Sequence, residues 1–396
     1  MTTLGLSTDQ LQNAGADNTV REIGQQPAVW RDVAAMVSAH ADEVTGFLRP
    51  LLGREDLRII LTGAGTSAFA GEILAPALSR HLGRRIDAVA TTDIVSNPGE
   101  YLAEDKPTLL VSFARSGNSP ESTAAIELAD QRLSECYHLV LTCNPDGQLN
   151  RDRRDAKGSL VLLMPDAAND QGFAMTSSFT AMVLTAWLTL AGIEPDGIVE
   201  RLAAAAEQVL SERADDIHGL AGRGFERVVY LGSGPLKGLA RESALKLLEL
   251  TAGGIVTQFD SPMGFRHGPK AMLDDQTLVV VYLSGDPHTR QYDMDMLNEL
   301  QDSAQPGSVI GIAATGSDVS SSASAPRVMA RDVWALEGLA GLDDAAIALP
   351  FVLVAQLLAL HLSLALGRTP DNPFPGNEVN RVVQGVTIHR SQQPNP

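Results

Sequence analysis

Short apolar runs rich in β-branched residues alternate with longer helical stretches along most of the chain. Leu57–Leu78 and Glu226–Leu247 each show such a run, then a glycine-rich turn, then a helical pattern. Thr108–Phe113 and Thr277–Leu283 are apolar throughout, which is typical of strands buried on both faces of a parallel sheet. This alternation predicts an α/β fold with parallel sheets and helices on both of their faces.

The order of these elements occurs twice. Gly65 of the first turn and Gly234 of the second are as many residues apart as Thr108 and Thr277, the first residues of the two apolar strands. The apolar helix predicted at Ser178–Ala191 has a counterpart at Ile347–Leu366. We therefore predict two tandem doubly wound, flavodoxin-like subdomains. The predicted boundaries are an N-terminal helical arm at 1–50, subdomains at 51–200 and 215–370, and a C-terminal tail at 371–396.

The helix predicted at Ile347–Leu366 is about long enough to span a bilayer. It carries Pro350, Gln356 and His361, however, and a helix buried inside a large α/β domain has the same pattern. We favour the buried core helix. The first residues lack a basic region followed by an apolar core, so we expect no signal peptide.

Charge and cysteine content narrow the partners and the compartment. The net charge is −18, and an acidic chain repels a phosphate backbone, so we expect no nucleic-acid partner. A single phosphate ester needs only a few aimed donors and is not excluded. Cys136 and Cys143 offer no zinc-ligand spacing, which favours a reducing cytoplasm and no structural metal.

The first candidate phosphate loop is Thr62–Ser67, which follows a predicted strand and opens a helix. Glycine lets a ligand approach the backbone, the helix N-terminus presents N–H donors, and Thr66 and Ser67 add hydroxyls. The same letters could form a dinucleotide fingerprint, with Ala68 as its third small residue, or merely a tight turn. The acidic residue that a dinucleotide site needs has only a weak candidate, Asp93.

The second candidate loop, Ser112–Ser122, also joins an apolar strand to a helix. Ser116, Gly117 and Ser119 would form a cluster of neutral donors at the carboxyl end of a neighbouring strand, where open α/β sheets bind ligands. One serine alone would be only an N-cap. Arg115 could pair with a phosphate or be a solvated residue at the start of the helix.

Glu242, Lys246 and Glu249 lie at positions i, i+4 and i+7 and share one face of a predicted helix. They form either a solvated, salt-bridged stripe or a site in which a lysine and partial burial tune a proton-transfer base. His267 lies on a loop before a Gly-Pro pair. It is either an acid/base group on a rigid loop or an ordinary residue of a packed surface loop.

In combination these motifs resemble the sugar isomerase (SIS) family. The matching segments are Thr62–Ser67, Ser112–Ser122, Ala244–Glu249 and Arg266–Pro269. Within the family, the phrases ARSGNSPES, SPMGFRHGPK and DNPFPGNEVNRVVQGVTIH are similar to the AgaS group of galactosamine-6-phosphate deaminase/isomerases. The resemblance implies that the protein converts an amino-sugar 6-phosphate to a ketohexose 6-phosphate and ammonia, with no cofactor. The first choice of substrate is galactosamine 6-phosphate, which would give tagatose 6-phosphate.

The resemblance also implies residue roles. Glu249 would move a proton between C2 and C1, and Lys246 would orient Glu249 or contact the open-chain sugar. His267 would be the ring-opening acid/base, donated across the interface of a homo-oligomer. The substrate-binding positions that it implies are Gly65, Thr66, Ser67, Arg115, Ser116, Gly117, Ser119 and Gln384.

The family includes the isomerase part of glucosamine-6-phosphate synthase, and this sequence departs from that pattern. We see no glutaminase domain with its N-terminal cysteine, so we expect no glutamine-dependent synthesis. The synthase's Ser-Gln-Ser turn reads Ala114-Arg115-Ser116, and Gln384 aligns with its tail lysine, which weighs against lysine-assisted chemistry there. The alternatives are an aldose–ketose phosphate isomerase without deamination, a glucosamine-6-phosphate deaminase and a non-catalytic sugar-phosphate sensor.

Overall fold

The computed structural model describes residues 2–11, 14–195, 197–303, 308–316, 333–383 and 385–389. The chain divides into two compact units, each assembled from separate stretches of sequence. The first-repeat unit comprises Val29–Asp170, Ser177–Pro195 and Phe374–Pro396. The second-repeat unit comprises Met1–Ala28, Gln171–Thr176 and Asp196–Pro373. The continuous boundaries expected from the sequence stay a prediction.

The first half of the chain alternates between strands and helices after its N-terminal helices. Its elements are, in chain order, β1 (Thr2–Thr3), β2 (Leu6–Ser7), α1 (Thr8–Leu11), α2 (Asp17–Gly24), α3 (Gln26–Ala39), α4 (Ala41–Leu52), β3 (Arg58–Thr62), α5 (Thr66–Leu82), β4 (Ile86–Ala88), α6 (Thr91–Ser96), α7 (Pro98–Tyr101), β5 (Thr108–Ala114), α8 (Pro120–Arg132), β6 (Cys136–Thr142), α9 (Gln148–Arg153), β7 (Ser159–Leu163) and α10 (Ser177–Ala191).

The second half repeats this alternation. Its elements are α11 (Ile198–Gln208), α12 (Ala214–Ala221), β8 (Arg227–Gly232), α13 (Pro235–Leu250), β9 (Val256–Asp260), α14 (Pro262–Phe265), β10 (Thr277–Leu283), α15 (Pro287–Ser303), β11 (Val309–Ala314), β12 (Val333–Leu336) and α16 (Asp344–Ala365). A π-helical turn, Val209–Arg213, joins α11 to α12, and a 3-10 turn, Pro269–Met272, precedes β10.

The sheet of the first-repeat unit is parallel, with the strand order β4-β3-β5-β6-β7. Strand β5 is buried at all of its positions, so both faces of the sheet are covered there. Ile60, Leu110 and Val140 lie on one face and pack against Ala125 and neighbouring residues of α8. The continuous apolar pattern of β5 in the sequence thus reflects its central place in the sheet.

The sheet of the second-repeat unit has the corresponding order, β9-β8-β10-β11-β12, and is also parallel. The turns after β3 and β8 share an unusual backbone conformation: φ and ψ are 56° and −128° at Gly65, and 55° and −125° at Gly234. Glycine tolerates this positive φ without strain. The predicted α/β class, with two tandem doubly wound parallel-sheet subdomains, is confirmed.

Helix α16 has the length and apolar composition of a membrane span, but its most apolar part is entirely buried inside the protein. Its polar side chains also find partners there. Gln356 accepts a hydrogen bond from Gln26 at 2.6 Å, and Ser363 donates one to the Leu250 carbonyl at 2.5 Å. The core-helix interpretation is therefore confirmed.

Candidate active site

The first candidate loop turns tightly from β3 into α5. A Cβ on Gly63 would lie 2.6 Å from the carbonyl carbon of Ser67, so only glycine allows the strand end to approach the helix this closely. Thr66 and Ser67 are the first two residues of α5 and are nearly buried. Their hydroxyls therefore lie at the positive end of a long helix, which favours an anion.

The second candidate loop connects β5 to α8 and is supported by the loop that follows β6. The carbonyl of Ser116 accepts a hydrogen bond from the Asn144 side chain at 2.9 Å. Gly117 has a φ of 63° and faces Thr142. Ser119 is the N-cap residue of α8, and its Oγ lies 2.6 Å from the Oγ of Ser122. These contacts fix a group of hydroxyls at the start of the helix.

The two loops leave the carboxyl ends of adjacent strands, because Thr62 of β3 pairs with Ser112 of β5. The hydroxyls of Thr62 and Ser112 are buried and have no hydrogen-bonding partner among the described residues. Thr91 donates its N–H to the Gly63 carbonyl at 2.7 Å, and its hydroxyl is likewise buried with no hydrogen-bonding partner among the described residues. This edge of the sheet is therefore rich in neutral donors, which suits a phosphate group.

The dinucleotide interpretation of the first loop needs an acidic residue at the end of the next strand. Strand β4 ends at Ala88, and Asp93 lies within α6. Asp87 of β4 forms an ion pair with Arg58 at 3.1 Å. The structure therefore gives no support to a ribose-binding carboxylate at this strand end.

Arg115 is buried, so the interpretation as a solvated residue at the helix start is wrong. It follows β5 directly, and its guanidinium donates to the Arg381 carbonyl of the C-terminal tail at 2.9 Å. Arg381 in turn donates to the Asp170 carbonyl. Arg115 thus links the second loop to the tail. Gln384, expected to bind substrate, lies outside the described residues.

One group of residues in the first-repeat unit has side chains of metal-ligating types: Asp130, Cys136 and His138. The Asp130 carboxylate already contacts the His138 ring at 2.7 Å and pairs with Arg153. Burial raises the pKa of the Cys136 thiol to about 12, which disfavours the thiolate that a metal needs. The group is better described as a charge-balanced ion-pair cluster.

The acid–base residues predicted on one helix face come together on α13 of the second-repeat unit. The Nζ of Lys246 lies 2.6 Å from Oε2 of Glu249 and 3.5 Å from Oε1 of Glu242. Glu242 and Lys246 are fully buried, whereas the Glu249 side chain is 25% exposed. The solvated-stripe interpretation is therefore wrong for the first two residues. A buried ammonium group fixes a carboxylate that is still open to solvent.

His267 lies on the loop between α14 and the 3-10 turn, in the same unit. Arg266 forms an ion pair with Glu299 of α15 at 2.8 Å, and Lys270 binds the same carboxylate. The loop is thus anchored on both sides of His267, whose exposed ring makes no hydrogen bond or ion pair with any described residue. Glu299 was missed in the sequence, where no local motif marks it.

Comparison with known proteins places the chain in a family. The sequence model of the SIS domain matches residues 51–192. The AgaS protein of Streptomyces coelicolor is 56% identical over 376 residues, which cover 94% of this chain and 96% of that protein. The chain belongs to the AgaS family of SIS-domain proteins. D-galactosamine-6-phosphate deaminase AgaS of Escherichia coli is 48% identical, over 94% of this chain and 95% of that protein.

A solved structure agrees with the fold. The crystal structure of tagatose-6-phosphate ketose/aldose isomerase from Escherichia coli is 45% identical to this chain, with a TM-score of 0.85. The match covers 95% of this chain and 97% of that one. The resemblance to the AgaS group drawn from the sequence motifs is thereby confirmed, and the chain is a member of a family of sugar-phosphate enzymes.

Proposed function

We propose that this chain is a deaminating isomerase that converts D-galactosamine 6-phosphate and water to D-tagatose 6-phosphate and ammonia. The observation that carries the proposal is the contact of 2.6 Å between the buried Lys246 ammonium group and Glu249. It holds a partly exposed carboxylate in one orientation, as a base that moves protons between carbons requires. The relative of this name in Escherichia coli, at 48% identity, supports the choice of substrate.

The reaction follows from ordinary imine chemistry. His267 protonates the ring oxygen while the C1 hydroxyl gives its proton to water, and the sugar opens to the C1 aldehyde. Glu249 then removes the C2 proton while O1 takes a proton from water, which gives an enolamine. It returns the proton to C1 while the nitrogen gives a proton to water, which gives a ketimine at C2. Water adds to the ketimine, and ammonia leaves as the C2 ketone forms. Lys246 keeps the Glu249 carboxylate oriented and offsets its charge.

The phosphate group is bound through neutral donors. Thr66 and Ser67 at the start of α5, and Ser116 and Ser119 before α8, supply hydroxyls, and Gly65 and Gly117 let the backbone close around the ligand. Hydroxyls and helix N-termini can hold an anion without a basic patch. This accounts for phosphate binding by a chain with a net charge of −18.

We further propose that the enzyme works in the cytoplasm as a homo-oligomer in which one subunit supplies His267 to its neighbour. The exposed ring of His267, held on an anchored loop, supports this role. Arg115 contributes by holding the C-terminal tail, and the substrate-binding role expected of Gln384 belongs to the same proposal. The proposed reaction needs neither a metal ion nor a cofactor.

A second candidate function is a ketose–aldose phosphate isomerase without deamination, which the name of the 45% identical structure favours. Both reactions use the same proton transfer and differ in the fate of nitrogen. The test is ammonia release from galactosamine 6-phosphate and from glucosamine 6-phosphate, with interconversion of tagatose and galactose 6-phosphates measured in parallel. We expect ammonia from galactosamine 6-phosphate. Interconversion with no ammonia from either amino sugar would establish the isomerase instead.

Two variants test whether Glu249 is the proton-transfer base. Glu249→Gln should lower turnover by about 10²–10⁴-fold, the usual contribution of a positioned proton-transfer group. Glu127→Gln, which changes an exposed glutamate of α8, is the matched control and should keep normal turnover. Full activity in Glu249→Gln would remove Glu249 from the mechanism.

A further inference from the structure

The first loop of the second repeat has the backbone conformation of its counterpart, at Gly234 and Gly65, but lacks the two hydroxyl-bearing residues that begin α5. When Gly234 is aligned with Gly65, Pro235 and Leu236 stand where the first repeat has Thr66 and Ser67. Proline has no N–H group and leucine has no hydroxyl. The first loop of the second repeat therefore presents fewer hydrogen-bond donors to an anion than the first loop of the first repeat does.

The donors that do remain in the second repeat are bound by carboxylates of the chain itself. Asp293 of α15 accepts hydrogen bonds from the Ser233 hydroxyl and, at 2.9 Å, from the Ser284 N–H. Asp344, the first residue of α16, accepts from the Ser284 hydroxyl at 2.5 Å and from the Gly285 N–H at 2.7 Å. The loops after β8 and β10 thus both donate to carboxylate oxygens.

The first repeat has no carboxylate at the helix positions that correspond to Asp293 and Asp344, and its buried Asp170 instead accepts hydrogen bonds from Ser177 and Ser178 at the start of α10. Helix α15 is the counterpart of α8 and α16 is the counterpart of α10, and the spacing between the first residues is the same in both pairs. When each pair is aligned at its first residues, Asp293 corresponds to Ile126 and Asp344 to Ser177. An apolar and a neutral residue therefore occupy these positions in the repeat that carries the proposed phosphate site.

Charge and space are consistent with a carboxylate pair in the place of a ligand. Together Asp293 and Asp344 can carry the same charge as a phosphate monoester dianion, and Arg290 lies close enough to attract both. Burial raises the pKa of Asp293 to about 6, so this group is largely ionised at neutral pH. A Cβ on Gly285 would lie 3.3 Å from Oδ1 of Asp344, so the carboxylate fills the space beside this loop.

We propose that Asp293 and Asp344 are built-in substitutes for a phosphate group, which close the second repeat to anions. The chain then binds a single phosphate, in the first repeat, although the first loops of both repeats share one backbone conformation at Gly65 and Gly234. The inference rests on the proposed function only for the location of that single site. Removal of both carboxylates should open a second anion site in each chain.

Isothermal titration of the full chain with inorganic phosphate tests this count. We expect one site per chain in the wild type and two in the double variant Asp293→Ala/Asp344→Ser. Ser119→Ala should weaken the first-repeat site in both backgrounds and leave the added site unchanged. Two sites per wild-type chain, or one site in both the wild type and the double variant, would overturn the proposal. No site in the wild type with one in the double variant would instead contradict the proposed function.

A second measurement covers the case in which the double variant does not fold. Asp293→Ala removes one buried carboxyl group, and formate is the small anion that matches it. The melting temperature of Asp293→Ala should rise with added formate more than that of the wild type. Asp295→Ala, at an exposed position of the same helix, is the control and should respond as the wild type does. Equal responses in all three proteins would overturn the proposal.

Discussion

Replacement of Lys246 by methionine removes a buried ammonium group and keeps most of the side-chain volume. The ammonium group lies 2.6 Å from Glu249 and 3.5 Å from Glu242, and both Lys246 and Glu242 are fully buried. Without Lys246, Glu242 remains a buried carboxylate that has lost this ammonium group. Removal of one partner of a buried ion pair costs about 3–5 kcal/mol of unfolding free energy.

The double variant Glu242→Gln/Lys246→Met separates folding from catalysis. The double variant removes the buried carboxylate together with the ammonium group, and neutral replacement of a buried ion pair is often harmless to stability. We expect the double variant to recover most of the lost unfolding free energy. Its turnover should stay about 10–100-fold below that of the wild type, because Glu249 has lost a charged hydrogen-bonding partner worth about 1.5–3 kcal/mol.

Urea unfolding followed by circular dichroism, together with ammonia release, measures both effects. Lys237→Met is the control, since Lys237 lies on the same helix, is 48% exposed and pairs with Asp260 at 3.1 Å. Such a surface pair contributes about 0–1 kcal/mol. If Lys246→Met were as stable as the control, the argument from burial would be refuted. Wild-type turnover in the double variant would refute the orienting role of Lys246.

Three further predictions concern the phosphate loop, the histidine loop and the second repeat. Ser119→Ala removes one donor from the proposed phosphate site and should raise the KM for the sugar phosphate about tenfold with little change in kcat, as measured from initial rates. An unchanged KM would show that Ser119 does not contact the phosphate. Glu299→Gln weakens the two ion pairs that hold the His267 loop and should lower kcat about tenfold, while the unfolding free energy changes by less than about 1 kcal/mol. An unaltered kcat would show that these ion pairs do not position His267 for catalysis. Burial raises the pKa of Asp293 to about 6, so the folded state binds the Asp293 proton more tightly than the unfolded state does. The protonated group therefore contributes to stability below about pH 4, and this contribution is lost as the pH rises through about 6. The wild type should therefore lose stability relative to Asp293→Asn between about pH 4 and pH 7 in urea titrations, and a constant difference would contradict this.

The fold could be predicted from the sequence because its signals are local. The strand Thr277–Leu283 has the bounds that its apolar run predicts, and β5 extends one residue beyond the predicted Phe113. Helix α16 begins at Asp344, three residues before the predicted start. The reason is an N-cap: the Asp343 side chain accepts a hydrogen bond from the Ala345 N–H at 2.9 Å, so the polar residues before the apolar run already belong to the helix.

The candidate site could be predicted only in part. Lys246 and Glu249 meet because residues three apart share a helix face, which sequence spacing reveals. The burial of Glu242 depends on the packing of α13 against α16, which no local pattern encodes. Glu299 binds residues 29 and 33 positions away, and Asp344 binds residues about 60 positions away. Contacts at such separations arise from the tertiary fold, and a single sequence carries no signal for them.

The central claim is that Glu249 moves the proton between C2 and C1 of the open-chain amino sugar. Galactosamine 6-phosphate deuterated at C2 allows this step to be followed by nuclear magnetic resonance as the loss of the label from C2. In the wild type the label should leave C2 as one ammonia forms for each ketohexose 6-phosphate. In Glu249→Gln the loss should be at least about 100-fold slower, and the variant should still bind phosphate. Loss of the label at the wild-type rate in Glu249→Gln would contradict the account.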